Sequence, residues 1–115
     1  MIYEIIDREL KKQGLVQAPS VVLKPMSINI LDVAEHAIQR FKDRNATKEM
    51  AQHYIDTALV MIKESKDKYE FIAEDGSSVI LEYGKLLTVI PKSSYTEKQI
   101  KKVQVILSCL ELYRM

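Results

Sequence analysis

Residues 69–91, YEFIAEDGSSVILEYGKLLTVIP, carry the pattern that decides the fold. Tyr69, Phe71 and Ala73 share one parity of an alternating run, and Asp75-Gly76 follows as a hairpin-turn dipeptide. Val79, Leu81 and Tyr83 alternate again before Gly84, and KLLTVI reads as a third strand stopped by Pro91. Three short strands joined by tight turns predict an antiparallel meander.

Upstream, the period is helical. Thr47 can cap a helix whose stripe of Met50, Ala51, Tyr54, Ile55, Ala58, Leu59 and Ile62 runs to KESKDK, a mixed-sign segment that reads as a loop. Before it, Asn29 can cap a helix with Asp32 in its first turn, burying Leu31, Ala34, Ala37, Ile38 and Phe41 and closing at Asn45. SVVLK lies between Pro19 and Pro25, which predicts a short edge strand. Ile2, Ile5, Ile6 and Leu10 mark an N-terminal helix ending at Lys11, Lys12 and Gly14. Downstream, Thr96 with Gln99 fits a capping box, and Ile100, Val103, Leu107 and Leu110 continue at helical spacing, although VQVIL also fits a fourth strand. The expected class is α+β, with N-terminal helices packed on one face of a small antiparallel meander sheet and a C-terminal helix.

A chain of 115 residues, 47% hydrophobic and 29% charged, has the size of one domain spanning residues 1–115. Seventeen basic and 16 acidic residues give a formal charge of +1, so a phosphate contact has to be local rather than a bulk electrostatic effect. Cys109 is the single cysteine, which excludes an intrachain disulfide and a cysteine-rich zinc site and suits a reducing cytoplasm. MIYEIIDREL carries acids where a signal peptide carries bases, and no apolar run approaches the ~18 residues of a membrane span. The expectation is a cytoplasmic protein without a membrane partner. Delivery into a target cell as part of a larger secreted toxin is compatible with it.

The chemistry-bearing residues concentrate in AEHAIQRFKDRN, where His36, Arg40 and Arg44 recur every four residues and form one polar row on a helix. An imidazole exchanges a proton near neutral pH, and a guanidinium holds phosphate oxygens through paired donors. The plain alternative is an exposed face with Glu35 and Asp43 as surface ion partners. Thr88 shares a parity with Leu86 and Ile90, which puts a hydroxyl on an otherwise apolar face, although a β-branched residue in a strand needs no function. Lys85 and Lys92 flank that strand as a candidate cationic rim for substrate. His53 reads as a surface residue, and Cys109 as a small buried hydrophobe rather than a nucleophile. Lys98, Lys101 and Lys102 read as a solvated basic start to the last helix; the six tyrosines could stack bases, but Tyr54 falls on a core stripe and Tyr69 and Tyr83 fit the packed face of the sheet.

The order of these pieces, a helix with HAIQRFKDR, a second helix after NATKE and then the meander, resembles the small RNases grouped as Barnase/EndoU/colicin/RelE-like, over roughly residues 30 to 92. The resemblance implies a metal-independent endoribonuclease, a bacterial or phage toxin domain cutting RNA, with tRNA a candidate substrate. It implies His36 as acid or base, Arg40 and Arg44 as phosphate ligands and Thr88 as a substrate-orienting hydroxyl. No cofactor is needed, and a cognate immunity protein or antitoxin with an acidic surface is the expected partner. The rival expectation is a non-catalytic phage or accessory protein-protein interaction module, which near-zero net charge favours. Its mark would be Val105, Ile106 and Leu112 exposed on the last helix.

Overall fold

A computed structural model of the chain describes residues 2–43, 45–91 and 96–113. Along them run α1 (Ile2–Lys12), β1 (Val21–Leu23), β2 (Asp32–Val33), α2 (Glu35–Asp43), α3 (Lys48–Asp56), β3 (Val60–Ser65), β4 (Lys68–Ile72), β5 (Ser78–Glu82), β6 (Lys85–Ile90) and α4 (Glu97–Tyr113). The strands form one sheet in the order β1-β3-β4-β5-β6-β2. All neighbours are antiparallel except β2, which pairs with β6 in parallel. The class is α+β, and its centre is the meander read from residues 69–91.

Both meander turns follow from local chemistry. Asp75 accepts hydrogen bonds from the Ser77 amide (2.8 Å) and hydroxyl (3.1 Å), and Gly76 takes the positive φ of 91° that the turn needs. Between β5 and β6, Glu82 faces Lys85 across a two-residue turn in which both Tyr83 (φ 54°) and Gly84 (φ 77°) are left-handed. One irregularity follows. Ile80 pairs with Thr88 and Leu81 with Leu86, which leaves Leu87 as an extra residue in β6.

Side chains of directly paired residues share a face, so the register sorts the sheet into two sides. The row Met61, Phe71, Val79 and Val89 packs with Ala37 and Phe41 of α2 and with Ala51 and Ile55 of α3. Val22, Val60, Ile62 and Ile72 pack on the other side with Ile6 and Leu10 of α1 and with Val103, Ile106 and Leu110 of α4. Helices therefore cover both faces, not the one face expected. The continuous apolar run Val60, Met61 and Ile62, all buried, is what a strand covered on both sides requires.

Other boundaries shift too. No helix starts at Asn29: Asp32–Val33 is strand, α2 begins at Glu35, and Leu31, expected in the core, is 76% exposed, with Ile38 also exposed. The stripe ending at Ile62 is two elements. Thr47 caps α3 as read, its Oγ1 accepting from the Met50 amide at 3.1 Å, but the helix stops at Asp56 and a strand takes over. KESKDK is the β3–β4 hairpin rather than a loop, with Lys68 and Glu64 paired at 3.7 Å. VQVIL lies in helix, and SVVLK supplies the edge strand, where the Val22 amide donates to Asp7 Oδ1 at 3.0 Å. Among the described residues no helix is long and apolar enough to cross a membrane.

Candidate functional site

Ala37 and Phe41 anchor α2 on the sheet, and the Ala34 amide, just before the helix, donates to the Leu86 carbonyl at 2.9 Å. That fixes which side of α2 faces outward. His36 and Arg40 are both exposed there, one turn apart. Neither makes a hydrogen bond or ion pair with another described residue, and the nearby Asp43 carboxylate instead accepts from Gln39 Nε2 at 3.2 Å. Arg44, the third member of the row, lies outside the described residues.

Thr88 is not brought to this row. It pairs with Ile80, which pairs with Glu70, which pairs with Ile62, so its side chain belongs to the α1/α4 side of the sheet. Its hydroxyl is buried, with no hydrogen-bond partner among the described residues. The parity shared with Leu86 fails because the extra residue Leu87 resets the alternation, and Leu86 packs on the α2 side with Val89. Lys85 is exposed and stands in the row of Lys68 and Glu82, also away from α2. Lys92 lies outside the described residues. Among the described residues, His36 and Arg40 are thus the two expected site residues that the fold places together.

A second feature escaped the sequence reading. At the hairpin end of the sheet, on the α2/α3 side, a groove of about 390 Å³ runs between the segment before β2 and the β5–β6 turn. Ile28, Asn29 and Leu31 line it from the first of these and Tyr83 and Gly84 from the second, together with Asp67, Tyr69 and Leu81 of the sheet and its β3–β4 turn. Tyr83, expected to pack, is 73% exposed. The segment before β2 is held by Gln52 of α3, whose Nε2 donates to the Ile28 carbonyl (3.0 Å) and whose Oε1 accepts from the Ile30 amide (2.9 Å). Gln52 also donates to Asp56 at 3.1 Å, beside the Ser27 hydroxyl. Hydrogen bonds from Ser27 and then Gln52 hold the Asp56 carboxyl below the usual aspartate range. Capping and turn chemistry signalled neither the glutamine clamp nor the groove, because both depend on contacts distant in sequence.

On the opposite side, Lys102 is buried rather than solvated. Ile5, Val105, Cys109 and Leu112 line a separate groove of about 550 Å³ between α1 and α4. Burial and then the Glu9 carboxylate push the Cys109 thiol up, away from the reactive thiolate. Of the residues expected to be exposed on the last helix, Leu112 is 65% exposed, Val105 is half-buried and Ile106 is fully buried, while Ile100 and Leu107 add exposed apolar surface. His53 is exposed, and no group of three or more described His, Cys, Asp or Glu residues is placed to hold a metal ion. Compared with known proteins, the chain matches no family model, no curated protein and no solved structure.

Proposed function

We propose that the outer row of α2 binds and cleaves RNA without a metal. His36 takes the proton of a ribose 2′-hydroxyl while Arg40 holds the non-bridging oxygens of the adjacent phosphate through its paired donors. The 2′-oxygen bonds to phosphorus, the bond to the 5′-oxygen breaks, and the imidazolium returns its proton to that leaving oxygen. The products are a 2′,3′-cyclic phosphate and a 5′-hydroxyl. Arg44, next in the sequence row, extends the phosphate contact along the strand.

One observation carries this reading: His36 and Arg40 stand one turn apart on the exposed side of a helix anchored by Ala37 and Phe41, and neither side chain is engaged by another described residue. Surface ion pairing, the plain explanation for such residues, is absent for both among the described residues. The element order fits the resemblance to the Barnase/EndoU/colicin/RelE-like RNases, and Thr88 drops out of the proposed chemistry because its hydroxyl is buried on the far side of the sheet. A toxin of this kind would need an immunity protein or antitoxin whose acidic surface covers α2. The test is incubation of the purified chain with total tRNA and with single-stranded RNA in EDTA. New 2′,3′-cyclic phosphate ends support the reading, and intact RNA at high protein concentration removes it.

The exposed Ile100, Leu107 and Leu112 favour a second reading, an accessory module that binds another protein through α4. That surface is separate from α2, so a chain with no RNase activity but with a partner lost on Leu107→Lys would support the module alone.

A further inference from the structure

We infer that the groove at the hairpin end of the sheet is a subsite for one unpaired base of a single-stranded RNA, with Tyr83 as its stacking platform. The choice of ligand rests on the RNA reading of α2, while the test below does not use cleavage.

Tyr83 is held in a strained backbone conformation. Tyr83 takes φ 54° at the first central position of the β5–β6 turn, a place that Asn, Asp or Gly occupies at lower cost. Its ring is not compensated by burial, since the residue is 73% exposed. A bulky aromatic residue held in an unfavourable conformation and left in solvent points to a surface role rather than to packing. The residues around it supply a matching apolar lining. Opposite Tyr83, Leu31 is 76% exposed and lies over Gly84, where an added Cβ would come within 2.9 Å of Leu31 Cδ1. Tyr69 also lines the groove, its ring 6.4 Å from that of Phe71, which backs it from the core.

Polar groups in the same lining select the occupant. The side chains of Asn29 and Asp67, the two lining residues with an amide and a carboxylate, make no hydrogen bond with any other described residue. An aliphatic side chain entering the groove would strip water from both and give nothing back. A nucleobase suits both parts, with a flat face for the tyrosines and a donor-acceptor edge for the amide and carboxylate. The groove also opens on the same side of the sheet as α2. From Leu31 the chain runs through β2 directly into that helix, and at ~3.3 Å per residue the three steps to Ala34 cover about 10 Å, so one strand of RNA can meet both.

The test uses a single-stranded 2′-O-methyl RNA, which has no free 2′-hydroxyl and is not cut by the proposed mechanism, with affinity read by fluorescence anisotropy. The protein should bind this oligonucleotide more tightly than one of the same length made abasic. Tyr83→Phe should keep the affinity, and Tyr83→Asn should lower it roughly tenfold, the loss of one stacked base, while its unfolding midpoint stays level or rises as the strain is relieved. Equal affinity of Tyr83→Asn and wild type overturns the subsite, as does equal binding of the abasic strand or no binding at all. If base-dependent, Tyr83-dependent binding is found in a protein that cuts no RNA, the cleavage reading of α2 falls and the subsite stands.

Discussion

Lys102 Nζ lies 3.0 Å from Glu70 Oε1, joining α4 to the centre of the sheet by an ion pair that is almost wholly buried. Ser78 Oγ completes the arrangement by donating to Glu70 Oε2 at 2.7 Å. Removing one charge strands the other in a poorly solvated place. Lys102→Met should therefore cost about 3–5 kcal/mol, whereas combining it with Glu70→Leu should recover most of that loss. Urea unfolding of the two variants checks this, and a double variant no better than the single one would show that Glu70 is not the residue stranded.

His36→Ala should leave stability within about 0.5 kcal/mol of wild type, because the residue is exposed and unpartnered among the described residues. RNA cleavage should fall by at least ~100-fold, the usual scale for a lost acid-base group. Arg40→Ala should also lower cleavage. Arg40→Lys should restore it only in part, since an ammonium lacks the planar paired donors. Rates on a labelled RNA, measured beside thermal melts, separate these outcomes from misfolding.

Thr88→Val keeps the branched shape and removes a buried hydroxyl that has no partner among the described residues. Stability should be unchanged or higher by about 1 kcal/mol. Cleavage should not change, because the side chain faces away from α2. A large drop in rate at normal stability would return Thr88 to the reaction and require a different active surface.

Folding lowers the pKa of Asp56 through the hydrogen bonds from Ser27 and Gln52. The carboxylate therefore adds stability above its unfolded pKa, and this contribution disappears as the pH falls through its lower folded value. The group is exposed, so the effect is small. Ser27→Ala should move the Asp56 titration, followed by carbon-detected NMR, upward toward the ordinary aspartate value. It should also flatten the acid side of the stability profile.

Signals confined to a few neighbouring residues were legible. The Asp75-Gly76 turn, the Pro91 stop, the Thr47 cap and the helix beginning at Thr96 all appear where local chemistry puts them. What stayed hidden depends on distant partners. Strand β2 has two residues and exists because β6 stands beside it, with Leu31 N donating to Gly84 O and Ala34 N to Leu86 O. The run from Ala58 to Ile62 fits a helical stripe and a buried strand equally well until β1 and β4 flank it. For the proposed site, the adjacency of His36 and Arg40 was readable because both sit within one helix. Thr88 was misplaced because a single unpaired residue, Leu87, changes which side of the sheet the rest of β6 addresses.

The Val22 amide bound by Asp7 also limits how this protein can associate. An outermost strand with free amides invites a neighbouring chain to extend the sheet, the route to both peptide capture by strand addition and fibrillar aggregation. Here that border is three residues long with one donor already occupied, and the opposite border is two residues long with the Val33 amide turned to Asp32 Oδ1 at 2.8 Å. Backbone-to-backbone annealing has little to grip at either margin. At these two borders, contact with another molecule falls to side chains.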